Sequence, residues 1–255
     1  MGVIIIKKRD SLSWAVSMKT ILHKADTRGF ANHGWLKSHH SFSFASYHNP
    51  ERMSFGALRV LNDDLVQPKM GFGTHPHQNM EIISIPLSGA LSHKDNMGNT
   101  RAIEVGEVQV MSAGTGLTHS EFNGSKTDEV NFLQLWIVPG EMNVTPNYEQ
   151  RPFSSEEKNN RLQTVVAPKD KLIGDALPIS QQAYVYRTRL DSYKSLSLNA
   201  KSINNGFYVF VLEGEVEVAN HTLEKRDAIG VSETEHIEIK SISNSELIIV
   251  EVPMN

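Results

Sequence analysis

Two pairs of polar residues could together bind a metal ion. His75 and His77 are separated by one residue, and His119 and Glu121 repeat that spacing further along the chain. Because alternate side chains of a β-strand point to the same face, each pair can direct both of its donor groups into one cavity. Two such strands meeting in a barrel would supply three imidazoles and one carboxylate, so the spacing predicts a metal site.

The donor types restrict the metal that such a site would bind. Imidazole and carboxylate suit iron, manganese, nickel, copper or zinc, and the absence of cysteine from the sequence excludes thiolate sites. Gly71 and Gly73 precede the first pair, and Gly114 and Gly116 precede the second. Glycine permits the tight turns that bring short strands to the mouth of a barrel.

A fifth candidate donor is Glu81, which lies four residues after His77. Its side chain would share the face of His77 if the strand continued without a bulge. It could therefore replace Glu121 as the carboxylate ligand or orient a ligating imidazole through a hydrogen bond.

The elements that must position these residues are predicted to be strands. Short apolar or alternating runs are separated by Gly, Asn, Asp and Pro, and long helical periodicity is absent. Residues 41–44 and 215–218 alternate in polarity, whereas residues 82–87 and 132–138 are denser apolar runs typical of strands buried on both faces. Residues 95–99 have the composition of a hairpin turn, and His93 just before it is interpreted as a strand-end residue.

An internal repeat predicts two tandem barrels. Gly, Pro and polar residues interrupt the strand pattern near residues 140–165, and a second β unit follows, in which residues 211–216 parallel residues 85–90. The second unit retains His236 and Glu238 at the same spacing as His119 and Glu121, but no pair of histidines precedes them. Two donors are too few for a site, so this barrel is predicted to be free of metal.

Composition limits the classes of function. The 255 residues carry 25 basic and 29 acidic side chains, and the net charge of −4 argues against direct nucleic-acid binding. No apolar run approaches the ~20 residues that a membrane helix needs. Residues 3–6 are apolar, but the charged residues 7–10 follow them, an order opposite to that of a secretory signal. We therefore predict a disordered or non-native leader at residues 1–17 and a cytoplasmic monomer.

These motifs also carry a family resemblance. The sequence resembles the pirins, a family of bicupin proteins, over roughly residues 19–255, strongly in the first half and weakly in the second. The matching stretches are residues 31–36, 41–44, 57–64, 75–81, 93–98, 111–116, His119 and Glu121. The resemblance implies an all-β fold of two tandem cupin barrels, each a double-stranded β-helix of the jelly-roll type. We place the metal-binding barrel at residues 18–145, and a linker with a degenerate, metal-free barrel at residues 146–255.

The resemblance also implies a ligand set and two classes of function. It maps the metal ligands onto His75, His77, His119 and Glu121, favours Glu121 over Glu81, and favours iron, with copper, nickel, manganese, cobalt and zinc as alternatives. Some pirins resemble quercetin 2,3-dioxygenases, which implies opening of a flavonol-like aromatic ring with dioxygen and Glu121, or alternatively Glu81, as the catalytic base.

The alternative is a non-catalytic, redox-sensing regulator that binds a transcription factor or a metabolic enzyme. An enzyme should have an open, apolar-walled cavity that reaches the metal, whereas a regulator should have a narrow one. We interpret Trp35, Phe42, Phe44 and Trp136 as core aromatics.

Overall fold

The computed structural model describes residues 18–254 as 22 strands and two short 3₁₀ helices at Ala25–Thr27 and Glu156–Lys158. The predicted leader at residues 1–17 lies outside this part. The first eleven strands are β1 (Lys19–His23), β2 (Gly29–Asn32), β3 (Leu36–His40), β4 (Leu58–Val66), β5 (Gly71–His77), β6 (Glu81–Ser88), β7 (Ala90–Asp95), β8 (Thr100–Glu104), β9 (Glu107–Ser112), β10 (Leu117–Asn123) and β11 (Val130–Ile137).

The remaining strands belong mainly to the second half of the fold. They are β12 (Asn147–Pro152), β13 (Gln163–Pro168), β14 (Leu177–Ile179), β15 (Tyr184–Leu190), β16 (Ser195–Asn199), β17 (Asn205–Glu213), β18 (Val216–Val218), β19 (His221–Leu223), β20 (Ala228–Ser232), β21 (His236–Ser241) and β22 (Ser245–Pro253). Among residues 18–254, no helix is long and apolar enough to cross a membrane.

Each half of the fold contains one seven-stranded sheet and one four-stranded sheet. In the first barrel the strand orders are β12-β9-β6-β11-β4-β3-β2 and β5-β10-β7-β8. In the second barrel they are β1-β20-β17-β22-β15-β13-β14 and β16-β21-β18-β19. The two orders correspond strand by strand, which confirms the predicted all-β architecture of two tandem cupin barrels.

Each seven-stranded sheet has one edge strand that comes from the part of the chain that otherwise forms the other barrel. Strand β1 pairs with β20 of the second barrel, whereas β12 pairs with β9 of the first. Both strands therefore cross the predicted boundary between residues 145 and 146, and the division at that position stays a prediction. The exchange ties the two barrels together through backbone hydrogen bonds.

The seven-stranded sheets pack against each other. Strand β17 is buried on both faces because Tyr208 and Phe210 pack into the core shared by the barrels, while the alternate residues Val209 and Val211 fill the second barrel. This double burial explains the dense apolar runs in the sequence. Residues 41–44 do not form the predicted regular strand: Ser41 and Phe42 form a bend, and Phe44 makes only an isolated bridge.

Candidate metal centre

The first barrel's four-stranded sheet places the two predicted ligand pairs side by side. Strands β5 and β10 are antiparallel, with His119 opposite His75 and Leu117 opposite His77. The register shifts between His119 and Glu121, so a bulge separates the two residues of the second pair. Bulges re-aim side chains, and here His119 and Glu121 both remain buried.

Two glycines allow close backbone contacts near these strands. A Cβ atom at Gly71 would lie 2.2 Å from the carbonyl oxygen of Glu121. Gly114, in the turn before β10, has a φ angle of +47°, and a Cβ there would lie 1.9 Å from the carbonyl oxygen of Val144. Any larger residue would force the backbone apart at either position, which gives the sequence observation a steric cause.

Three imidazoles converge in one group. Ligand atoms of His75, His77 and His119 all lie within 4.8 Å of one another. The Nε2 atoms of His75 and His119 are 3.1 Å apart, and Nδ1 of His75 lies 2.8 Å from the Gly73 carbonyl oxygen. Because that carbonyl accepts a hydrogen from Nδ1, the Nε2 lone pair of His75 faces the group.

The electrostatic environment keeps two of these imidazoles, those of His77 and His119, neutral. Burial, reinforced by the neighbouring His75, lowers the pKa of His77 to about 4. Burial also lowers the pKa of His119 to about 2, with further contributions from His75, His77 and His93. Neutral imidazole is the form that ligates a metal, so the site is prepared to bind a cation and not a proton.

Glu121 is a buried carboxylate whose hydrogen-bond partners are neutral. Its Oε2 accepts from Nε2 of Gln134 at 2.7 Å, and its Oε1 accepts from the hydroxyl of Ser84 at 3.2 Å. Burial raises the pKa of Glu121 despite these hydrogen bonds. An adjacent cation would compensate the cost of burying this charge, so the donor set fits a divalent metal.

A second group extends the site in a direction that the sequence did not suggest. Ligand atoms of His93, His119 and Glu121 also lie within 4.8 Å of one another, so His119 belongs to both groups. His93 faces Glu121 across the β7–β10 ladder, and its Nε2 lies 3.0 Å from a carboxylate oxygen of Asp95. The Nδ1 atoms of His93 and His119 are buried and lack hydrogen-bond partners within residues 18–254.

Glu81 has a different role from the ones considered for it. Its Oε2 accepts from the Ser112 hydroxyl at 2.5 Å, and its Oε1 accepts from the backbone N–H of Ser180 at 3.2 Å. Glu81 is in neither group of potential ligands, and its hydrogen bonds join the first barrel to the second. The orienting contact with an imidazole that its spacing suggested does not occur, because Asn79 with a φ angle of +50° interrupts the strand between His77 and Glu81.

A cavity of about 400 Å³ opens onto the centre. His75, His77 and Glu121 line one side of it. The other lining residues combine apolar and aromatic walls with a polar floor; they are Ala31, His33, Trp35, Leu36, Ser38, His40, Phe44, Ala45, Ser46, Asn62, Asp64, Phe72, Gln134 and Trp136. The volume lies within the ~300–1,000 Å³ typical of small-molecule sites.

The predicted core aromatics have two different surroundings. Phe42 is a core residue, whereas Trp35 and Trp136 pack against core clusters and are half-buried, and they also line the cavity together with Phe44. Trp136 meets the ring of His77 edge to face at 5.0 Å between centroids and that of Phe44 at 5.3 Å. Sequence reasoning missed this because an aromatic residue at a core-like position looks the same whether its other face meets protein or a cavity.

The remaining predicted pair lies elsewhere. His236 and Glu238 are exposed on β21, where Nδ1 of His236 lies 3.1 Å from the Asn199 side-chain oxygen. Among residues 18–254, both groups of potential metal ligands lie in the first barrel.

Comparison with known proteins identifies the family. The Pirin family model matches residues 22–137, and the model of a quercetinase C-terminal cupin domain matches residues 164–252. The quercetin 2,3-dioxygenase of Escherichia coli strain K12 is 39% identical over 232 residues, which are 91% of this chain and 98% of that protein. This chain belongs to the pirin family. A pirin-like protein of Caulobacter vibrioides is 38% identical over 226 residues, with 89% and 96% coverage.

Solved pirin structures share the fold and, in one case, hold a metal. YhhW from Escherichia coli superposes with a TM-score of 0.88 at 38% identity, covering 93% of this pirin and 99% of YhhW. Bacterial pirin YhhW in complex with nickel(II) superposes with a TM-score of 0.87, with 93% and 100% coverage. The nickel complex of a relative and the convergence of histidines with Glu121 both support metal binding by this pirin.

Proposed function

We propose that this chain is a metal-dependent oxygenase of the quercetin 2,3-dioxygenase type that opens a flavonol-like ring with dioxygen. The observation that carries the proposal is the aromatic-walled cavity that opens onto His75, His77 and Glu121. A planar aromatic substrate can lie against Trp136 and Phe44 while a polar oxygen faces the donors. The names of the quercetin 2,3-dioxygenase relatives support the same reaction class.

His75, His77, His119 and Glu121 would hold the metal in this proposal, with iron as the favoured ion. The bound ion would lower the proton affinity of a substrate hydroxyl and provide an open position for an oxygen ligand. Neutral imidazoles and a carboxylate do not by themselves select iron over nickel, copper, manganese, cobalt or zinc.

Glu121 would act as the base that removes the hydroxyl proton. Hydrogen bonds from Ser84 and Gln134 hold its carboxylate in place beside the cavity. The aromatic walls would exclude water and orient the ring. Ring opening then consumes one dioxygen and releases one carbon monoxide, so no external reductant is needed.

The regulatory alternative makes a different structural demand. A redox sensor that acts through a partner surface needs only a narrow metal cavity, whereas about 400 Å³ of apolar-walled space suits a substrate. We therefore favour the enzyme, and keep the regulator as the outcome that follows if no turnover is found. Residence in the cytoplasm stays a prediction.

The test is aerobic incubation of the full chain with quercetin after loading with iron, nickel or copper. Loss of flavonol absorbance with release of carbon monoxide is expected for wild type, and none for His75→Ala. Full metal occupancy without turnover for every ion would reject the oxygenase and favour the regulator.

A second variant tests the base. Glu121→Gln keeps the side-chain shape but cannot accept the proton, so turnover should fall by ~100-fold or more at matched metal occupancy. The matched control is Glu238→Gln on the second barrel, which should retain wild-type turnover. Full turnover by metal-loaded Glu121→Gln would show that another group takes the proton.

A further inference from the structure

A second cavity, of about 610 Å³, lies between the two barrels. One wall is formed by β6 residues Ile85, Pro86 and Leu87, and the opposite wall comes from β15, β17 and β22 of the second barrel. Phe153 and Leu212 complete its apolar surface. The cavity shares no lining residue with the one at the metal centre, so it constitutes a separate candidate site.

The charged groups around this cavity are unequal in number. Four cations line it, against the two carboxylates Glu213 and Glu246; the cations are Lys158, Arg187, Arg189 and Arg226. Glu213 is paired with Lys225, which is not a lining residue, at 2.8 Å. Glu246 is shared, since it contacts both Lys158 and Arg189. The lining therefore carries excess positive charge in a partly desolvated space.

Arg187 is the centre of this imbalance. Its side chain is buried, and within residues 18–254 no carboxylate lies within 4.0 Å of it. Its Nη2 and Nε donate to the side-chain oxygen of Gln163 at 3.0 and 3.3 Å, and Nη2 also donates to the Phe153 carbonyl at 3.3 Å. The Phe153 ring lies 5.7 Å from the guanidinium carbon. Neutral groups thus fix the guanidinium, and the carboxylate that acts on its charge through space, Glu246, is already paired with Lys158 and Arg189.

Arg226 adds to this charge from the other side. Its Nε lies 3.2 Å from a carboxylate oxygen of Asp63, which also lies 3.8 Å from Nη2 of Arg28. The buried Arg28 and the half-buried Arg226 therefore share one carboxylate, and the buried Nη1 atom of Arg226 has no hydrogen-bond partner in the described part of the chain. Buried charges without partners are costly, so the arrangement favours an added anion.

We propose that the cavity between the barrels binds a small organic carboxylate with an apolar body. The N–H groups of Arg187 on Nη1 are not used by Gln163 or Phe153 and can donate to a carboxylate, and Arg189 and Arg226 add attraction. Leu87, Leu212 and Ile248 would contact the apolar body. Because the walls come from both barrels, the bound anion would also link them.

The experiment measures binding of fluorobenzoate to the full chain by fluorine NMR, with fluorobenzyl alcohol as the neutral counterpart. It uses His75→Ala protein as well as wild type, because a carboxylate could otherwise coordinate a metal in the first barrel. We expect equal binding of fluorobenzoate to both proteins and little binding of the alcohol. Loss of binding in His75→Ala, or equal binding of the alcohol, would overturn the proposal.

Two variants and a control locate the ligand. Arg187→Gln should weaken fluorobenzoate binding by about tenfold or more, because a charge-assisted hydrogen bond and a buried positive charge are lost. Arg189→Gln removes a more exposed cation and should weaken binding about threefold without a risk to folding. Lys240→Gln, the same charge change on β21, should bind as wild type does. If wild type and Arg189→Gln bound fluorobenzoate with equal affinity, the ligand would not lie in this cavity. This conclusion would hold even if Arg187→Gln failed to fold.

Inorganic phosphate tests the apolar part of the proposal. It can pair with the arginines but has no apolar body, so it should compete with fluorobenzoate only at concentrations about tenfold higher. Competition at equal concentrations would show that the walls contribute nothing and would reject an apolar ligand. Absence of quercetin turnover would not affect any of these outcomes, because the two cavities are separate.

Discussion

Strands β10 and β21 occupy the same place in the two barrels, yet they present opposite kinds of residue to the interior. Each is the second strand of its four-stranded sheet. In β10 the buried residues include His119 and Glu121, whereas in β21 they are Ile237 and Ile239, and His236 and Glu238 face solvent. The same H-x-E pattern is therefore inward in one barrel and outward in the other. A shift of one residue in the pleat reverses which set is buried.

The partner strands follow the same division. His75 lies opposite His119 in the first barrel, and in the second barrel Leu198 lies opposite Ile237. Apolar side chains thus occupy the second barrel where the first has imidazoles. The interior of the second barrel is one continuous apolar cluster, whereas that of the first is divided into two smaller clusters. In the first barrel, the polar side chains of the candidate metal centre therefore occupy part of the interior that is apolar in the second barrel.

The largest expected effect concerns metal affinity. His119→Ala should reduce metal affinity by ~100-fold or more, because His119 belongs to both ligand groups, whereas His236→Ala should leave it unchanged. Isothermal titration of nickel(II) into metal-free protein measures both. Similar losses of metal affinity in the two variants would contradict the assignment of metal binding to the first barrel.

The second prediction concerns stability of the apolar barrel. Ile239→Ala should lower the free energy of unfolding by about 2–4 kcal/mol, because Ile239 is fully buried in the second barrel's core. Glu238→Ala, one residue away on the exposed face, should change it by less than ~0.5 kcal/mol. Urea unfolding at fixed pH compares the two. A larger effect from Glu238→Ala would show that Glu238, and not Ile239, faces the interior of the barrel.

The third prediction concerns pH and the polar floor of the first barrel. Burial raises the pKa of Asp64 from 3.8 to about 7, although Ser38 donates a hydrogen bond to it. The folded state therefore holds a proton that the unfolded state releases, so the contribution of Asp64 to stability should fall as pH rises from about 4 to about 7. The contribution is on the order of 2–4 kcal/mol.

Asp64→Asn removes this titration. Thermal unfolding of metal-free wild type and variant across pH 4–8, roughly the window set by these pKa values, should show a smaller decline for the variant. Asp191→Asn, an exposed change, should follow wild type. Parallel curves for Asp64→Asn and wild type would mean that other groups cause the decline.

The smallest expected effect distinguishes the two ligand groups within the first barrel. His93→Gln should weaken nickel binding about tenfold, because His93 lies beside the ligands His119 and Glu121 but is outside the proposed ligand set. His48→Gln, on an exposed loop, serves as the control. A loss as large as that of His119→Ala would make His93 a ligand and move the metal towards Glu121.

Much of the fold and part of the site could be read from the sequence. Alternation and dense apolar runs indicated strands, the internal repeat indicated two barrels, and the two spaced pairs indicated a site in the first. These features are local in the chain, since strand periodicity and spacing express the pleat directly. The exchange of β1 and β12 was not predicted, because strand pairing depends on contacts between residues about 200 positions apart in the case of β1 and β20.

The sequence alone determined which donor residues and which metals are chemically suitable, and the tertiary structure decided which of them meet. Burial of His93 beside His119, diversion of Glu81 to Ser180, and the cavity walls of Trp35 and Trp136 all depend on contacts across strands. The positive cavity between the barrels likewise joins side chains from both. Spacing specifies the face of one strand, but only packing specifies what that face meets.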